Sequence, residues 1–223
     1  YGKMPTQRLK FEQYYEYFRE NGYDLTLSNF VTDECLTVLY KDGHFLKKAW
    51  GMARGYATRT RDLLRIHEFD IVYVHLWATP FFVPFYEWLV KRLAKTTVYD
   101  IDDMIFLADG EFKVNLKAVL RGRLKPIYLI KNSDHVITCT PVLNEFARRY
   151  NDACTDISST MNTDRFVPVN PYSNDRELVI GWTGTHTTRK FLDLLRPVLI
   201  RLRKERKFRL RVIGNFDYSF PEM

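Results

Sequence analysis

A doubly wound α/β domain on a parallel sheet, followed by the opening of a second α/β domain, is predicted by three observations. Apolar, β-branched runs recur at Asp70-Ile-Val-Tyr-Val-His75, Thr96-Thr-Val-Tyr-Asp100 and Ser133-Asp-His-Val-Ile-Thr-Cys139. Stretches of helical spacing separate them, the alternation expected of a parallel sheet covered on both faces. After a breaker-rich segment at 162–175 the chain resumes with one more strand, helix and strand. The predicted organisation is therefore a first domain over 1–161, a linker over 162–175 and an incomplete second domain over 176–223.

Taken in order, Gln7 to Glu20 carries Leu9, Phe11, Tyr14, Tyr15 and Phe18 near helical spacing and stops at Asn21-Gly22, which predicts a helix. Tyr23 to Phe30 alternates, with Leu25 and Leu27 on one face, and reads as a strand. A long, mostly helical stretch from His44 to His67 precedes the run at 70–75, and Pro80 to Leu93 reads as the next helix. Asn115 to Lys131 is mainly helical, and Pro141 to Tyr150 is a helix with proline in its first turn. In the second part, Glu177 to Trp182 and Phe208 to Gly214 read as strands around a helix from Thr188 to Glu205. One such unit cannot bury its sheet alone, so the second domain reads as cut short. The opening Tyr1-Gly2-Lys3-Met4-Pro5 has loop chemistry where an α/β domain would start with a strand, which places the first strand before residue 1.

Composition narrows the class. The 223 residues are 46% hydrophobic and 15% aromatic, enough for a packed core, and no low-complexity run suggests disorder. Cys35, Cys139 and Cys154 are an odd count without C-x-x-C spacing, and read as reduced core thiols in a cytoplasm-like compartment. No apolar run approaches the length of a membrane span, so any membrane contact is expected to be peripheral. The net charge of +7 fits a solvated basic face or attraction to anionic lipid or phosphorylated substrates. No basic-aromatic recognition module is visible, so nucleic acid is not expected as a partner.

Open parallel sheets bind ligands at the carboxyl ends of their strands, so chemistry is sought there. Asp100 ends one predicted strand, with Asp102 and Asp103 just beyond. Three carboxylates so close must be solvated, paired or bound to a ligand, unless Asp102 or Asp103 caps a helix over Met104-Ile-Phe-Leu. His75 ends another strand, either as a satisfied structural residue or as a functional one. Trp77, Phe81 and Phe82 after it suit an acceptor platform or core packing. Arg8 either meets an anionic group or is solvated. Gly181 and Gly184, with Thr183, Thr185 and Thr187, form a small-residue turn ahead of a helix, where backbone can approach a phosphate. His186 reads as a loop residue.

These pieces together resemble glycosyltransferase family 4, enzymes of the GT-B architecture, in which two Rossmann-like domains face each other across a cleft. The resemblance rests on Tyr1-Gly-Lys-Met-Pro-Thr-Gln-Arg8, Phe69-Asp-Ile-Val-Tyr-Val-His75, Val98-Tyr-Asp-Ile-Asp-Asp103, Ser133-Asp-His-Val-Ile-Thr138, Asn162-Thr-Asp-Arg-Phe-Val-Pro168 and Val179-Ile-Gly-Trp-Thr-Gly184. It covers nearly the whole chain. It implies retaining transfer from a nucleotide-diphosphate sugar to a glycan or lipid-linked acceptor, such as a surface-polysaccharide precursor. No cofactor and no metal ion is expected, and the setting is cytoplasmic or peripheral on the inner membrane face. By the same resemblance Asp100 and His75 are catalytic, and Arg8, Trp77, Asp102 and Asp103 face the acceptor. Gly2, Gly181, Gly184, Thr185 and Lys190 face the donor diphosphate.

The chain departs from the family pattern at two places. Trp182 stands where many relatives carry an arginine, leaving Arg189 or Lys190 to neutralise the leaving diphosphate. The paired glutamates that hold the donor fall beyond Met223, so residues 1–223 alone are expected to be inactive. One preorganised donor to a leaving charge is commonly worth about 3–4 kcal/mol of barrier. Two other readings compete. Asp100-Ile-Asp102 after an apolar strand also resembles the haloacid-dehalogenase phosphatases, although Asp103-Met-Ile-Phe breaks that family's turn. A non-catalytic α/β binding module is the other.

Overall fold

The computed structural model describes residues 5–39, 41–107, 114–163, 178–185, 188–214 and 216–220. The chain divides into two compact units, Tyr1–Asn162 and Thr163–Met223. Most of the predicted linker, together with Gly2 and His186, lies outside the described residues.

In the first unit, β1 (Ile71–His75), β2 (Thr96–Ile101), β3 (His135–Thr138) and β4 (Cys154–Asp156) form a parallel sheet in the order β1-β2-β3-β4. The crossovers carry α5 (Phe85–Leu93), then α6 (Leu116–Leu120) and α7 (Lys125–Asn132), then α8 (Pro141–Arg148). Sequential parallel order with right-handed crossovers sets all these helices on one face. Burial agrees: Val74, Tyr99, Ile101, Val136 and Cys154, alternate residues of that face, share one core with Val90 of α5, Leu129 and Ile130 of α7, and Leu143 and Ala147 of α8. Among the described residues the crossover helices cover this one face. The opposite face, with Tyr73, His75 and Asp100, is met instead by the N-terminal segment.

That segment is not one helix. α1 (Pro5–Lys10) and α2 (Tyr15–Glu20) are separated by Phe11, at φ −125° and ψ −56°, and a 3-10 turn at Glu12–Tyr14. The break lets the Phe11 ring set its edge against both Tyr73 and His75, with centroids 5.6 and 5.0 Å away. Tyr23 to Phe30 forms no strand, and Phe30 instead packs on Tyr56. α3 (Asp33–Leu39) and the strand β4 were not foreseen.

α4 (Phe45–Arg65) packs on α3 at Gly51 and on the segment before α3 at Gly55. A Cβ on Gly51 would fall 2.3 Å from Cys35 Sγ, and one on Gly55 would fall 2.6 Å from the Phe30 carbonyl oxygen. α5 begins only at Phe85, because Phe82 sits in the left-handed region at φ 65° and two prolines punctuate the approach. The stretch 115–131 likewise breaks at Gly122, φ 67°, which lies against the Pro80 carbonyl.

The second unit is β5 (Leu178–Thr183), α9 (Arg189–Glu205) and β6 (Phe208–Ile213), with β5 and β6 parallel. Leu192, Leu199 and Phe208 form its small core, with Trp182 packed against it. The three cysteines are free, Cys35 and Cys154 buried and Cys139 partly so. Among the described residues no helix is long and apolar enough to cross a membrane.

Candidate functional site

The register of the parallel ladder brings His75, last in β1, directly beside Asp100 of β2, on the face away from the crossover helices. Asp100 is almost wholly buried, and one carboxylate oxygen accepts from Lys10 while the other accepts from the Tyr73 hydroxyl. Burial alone would push the Asp100 carboxyl up; His75, Lys10 and Tyr73 outweigh it and hold it below the usual carboxylate range. Burial, with the Asp100 charge adding to it, raises the Tyr73 phenol well above its ordinary value, so it stays a neutral donor.

The His75 ring lies between two carboxylates. Its Nδ1 is 3.7 Å from Asp100 Oδ1, and its Nε2 is 3.9 Å from Asp102 Oδ2. Neither distance is a hydrogen bond, and Nδ1 is buried with no hydrogen-bond partner among the described residues. An orphaned buried nitrogen calls for an explanation, since nearly all such groups in folded proteins are paired. The order from interior to solvent is Asp100, then His75 and Asp102, so a ligand can touch the latter two and not Asp100.

The loop after β1 is pinned at successive residues. Leu76 is left-handed, φ 60°, its N–H donating to the Asp100 carbonyl at 3.0 Å and its own carbonyl accepting from the Tyr99 hydroxyl at 2.9 Å. Trp77 N–H bonds back to the His75 carbonyl at 2.8 Å. The Ala78 and Thr79 N–H groups both donate to Glu87 Oε1, at 3.1 and 3.0 Å. Glu87 in turn is paired with Lys125, 3.2 Å away, and both side chains are almost fully buried. A non-glycine residue held left-handed inside so many bonds keeps the end of β1 rigid.

The other predicted acceptor residues are placed unevenly. Asp102 joins His75, whereas Asp103 is exposed and Arg8 is exposed on α1; the cation that reaches Asp100 is Lys10, two residues on. No helix follows Asp103; Met104 to Leu107 make a turn, so neither aspartate is an N-cap. Phe81 and Phe82 wall a cavity of about 170 Å³ over Tyr56 and Lys125, and Trp77 is partly buried. Among the described residues no group of three His, Cys, Asp or Glu is arranged to hold a metal.

In the second unit the turn after β5 satisfies itself. Gly184 N–H donates to the Ile213 carbonyl at 3.1 Å, and Thr185 N–H to Thr188 Oγ1 at 2.9 Å. Gly184 is obligatory, because a Cβ there would lie 2.3 Å from the Trp182 ring, while one on Gly181 would meet open space. Arg189 lies 4.0 Å from Asp193 and beside Tyr218, and Lys190 lies over the Phe191 ring. Any anion at this turn would therefore compete with Thr188 for the Thr185 N–H.

Lys10 and Tyr73 escaped the sequence reading. Tyr73 carried a signal, standing two residues before His75 and hence on the same strand face. Lys10 carried none, since its contact spans ninety positions. Compared with known proteins, the chain matches no family model and no curated protein.

Proposed function

We propose that the chain belongs to a retaining glycosyltransferase of GT-B type, moving a sugar from a nucleotide-diphosphate sugar to a glycan or lipid-linked acceptor in surface-polysaccharide synthesis. Free thiols favour a cytoplasmic setting. The observation that carries the reading is His75 at the carboxyl end of a parallel sheet, its ring between Asp100 and Asp102 and its buried Nδ1 without a hydrogen-bond partner among the described residues. In this reading His75 hydrogen-bonds the acceptor hydroxyl, Asp102 helps to place it, and Asp100 positions the ring. Gly181 to Thr185 and Lys190 serve the donor side.

The test is sugar transfer by the complete gene product, offered UDP- and GDP-sugars with glycan and lipid-linked acceptors. His75→Ala is expected to lower kcat about a hundredfold or more, with the donor KM nearly unchanged. Wild-type protein that transfers no sugar, or a His75→Ala variant of full activity, ends the proposal.

A second reading has its own support: both oxygens of Asp100 are occupied, by Lys10 and Tyr73, as in a latch that fastens the N-terminal segment to the sheet of a non-catalytic binding module. Under that reading His75→Ala and Asp100→Asn lower stability alike, and no nucleotide-sugar is turned over.

A further inference from the structure

α4 is the longest helix among the described residues, about 31 Å at the usual rise, and its two faces are unlike. The inner face is closed by Gly51 and Gly55 against Cys35 and Phe30. The outer face is open: Phe45 is 78% exposed, Leu46 81%, Trp50 70% and Leu64 74%. At about 100° per residue, Leu46, Trp50, Ala57 and Leu64 fall within about 40° of one another, a single apolar stripe along the helix.

Beside that stripe, at about 60–100° on the same wheel, run Arg61, Arg54 and Lys47, each exposed. Lys47 and Arg54 make no ion pair among the described residues, and Arg61 lies 3.8 Å from Asp62. Asp62 is the sole carboxylate of the helix and is engaged by Arg59 and Ser28 on another side. The segment 45–65 holds Lys47, Lys48, Arg54, Arg59, Arg61 and Arg65 against that one acid. A second copy of the chain is a poor cover for such a face, because an isologous contact would bring the cations of one copy near those of the other. A surface that is apolar inside and anionic outside complements both stripes at once.

We propose that the outer face of α4 docks on an anionic lipid bilayer, lying in the interface with Leu46, Trp50 and Leu64 entering the acyl boundary and Lys47, Arg54 and Arg61 on the headgroups. This stands apart from the transfer reading, and no nucleotide-sugar enters its test. The protein is sedimented with vesicles of phosphatidylcholine alone or mixed with phosphatidylserine, at low and high salt. Retention on the anionic vesicles is expected, at least tenfold weaker on neutral ones and falling with salt. Reversing Lys47 and Arg54 to Glu is expected to weaken binding by more than about tenfold, and Trp50→Glu to abolish it. Val142→Glu, at an exposed apolar residue of α8, is expected to leave binding intact. All these side chains point outward, so unchanged circular dichroism accompanies each variant. No retention on anionic vesicles, equal retention on neutral ones, binding that survives Trp50→Glu, or a concentration-dependent dimer abolished by Trp50→Glu overturns the proposal.

Discussion

The two units use the same β-α-β grammar and reach different degrees of closure. In the first, three crossovers seal one sheet face so completely that a Lys125–Glu87 ion pair is held in the interior beside Thr79. In the second, the two strands and one helix among the described residues bury Leu192, Leu199 and Phe208 but leave Leu194 72%, Ile213 60% and Leu178 54% exposed. The difference teaches that enclosed volume, more than local pattern, decides which groups a fold can hold out of water. Charges can be buried where partners converge from several elements. A two-stranded unit supplies too few of them.

The strand-end loops repeat the contrast. The loop after β1 is tied to β2, α4 and α5 through Leu76, Ala78 and Thr79. Among the bonds of the described residues, the turn after β5 is tied to its own Thr188 and to Ile213 of β6. A ligand would meet a rigid edge at His75 and a replaceable set of bonds at Thr185.

The largest expected effect tests the sealed interior. Lys125→Met leaves the Glu87 charge buried without its partner and should cost about 3–5 kcal/mol, whereas adding Glu87→Gln, which removes the charge and keeps an acceptor for the Ala78 and Thr79 N–H groups, should recover much of it. Hydrogen exchange read separately on β2 and β6 should show the loss in the first unit alone. Equal loss in β6 would erase the distinction between the units.

A smaller effect is expected at the turn of the second unit. Gly184→Ala drives a methyl into the Trp182 ring and should cost about 1–3 kcal/mol, confined to β5, β6 and α9 in urea unfolding followed by exchange. Protection in β2 and β3 should be unchanged.

The smallest concerns acid. Asp134 is lowered from 3.8 to about 2, first by its bond from Lys91 and then by the Thr97 N–H. A carboxyl lowered on folding adds stability that is complete above its unfolded value and is lost as pH falls toward the folded one. Because Lys91 and Asp134 are both about a third or more exposed, the contribution should stay below about 1 kcal/mol. Lys91→Ala should flatten the stability profile of the first unit between pH 4 and 2 by that amount; no change there would show the pair to be idle. Asp100, also lowered, titrates with the same sign.

The sequence by itself determined the alternation of β1, β2, β3 and β5, β6 with their helices, because β-branched runs and helical spacing are local properties of the chain. It also put His75, Asp100 and Asp102 at strand ends, where the ladder then set His75 beside Asp100. Only the tertiary structure decided what depends on distant partners: the break at Phe11, the Lys10 and Tyr73 contacts that seal Asp100, the crossover helices on one face of the sheet, the packing of Phe30 on Tyr56 in place of a strand over Tyr23 to Phe30, and the burial of Lys125 with Glu87. The short strand β4 belongs there too, since three residues carry too little pattern and become a strand only through the open edge of β3. Spacing along the chain encodes which face a residue presents, while what meets that face is fixed by contacts tens of residues away.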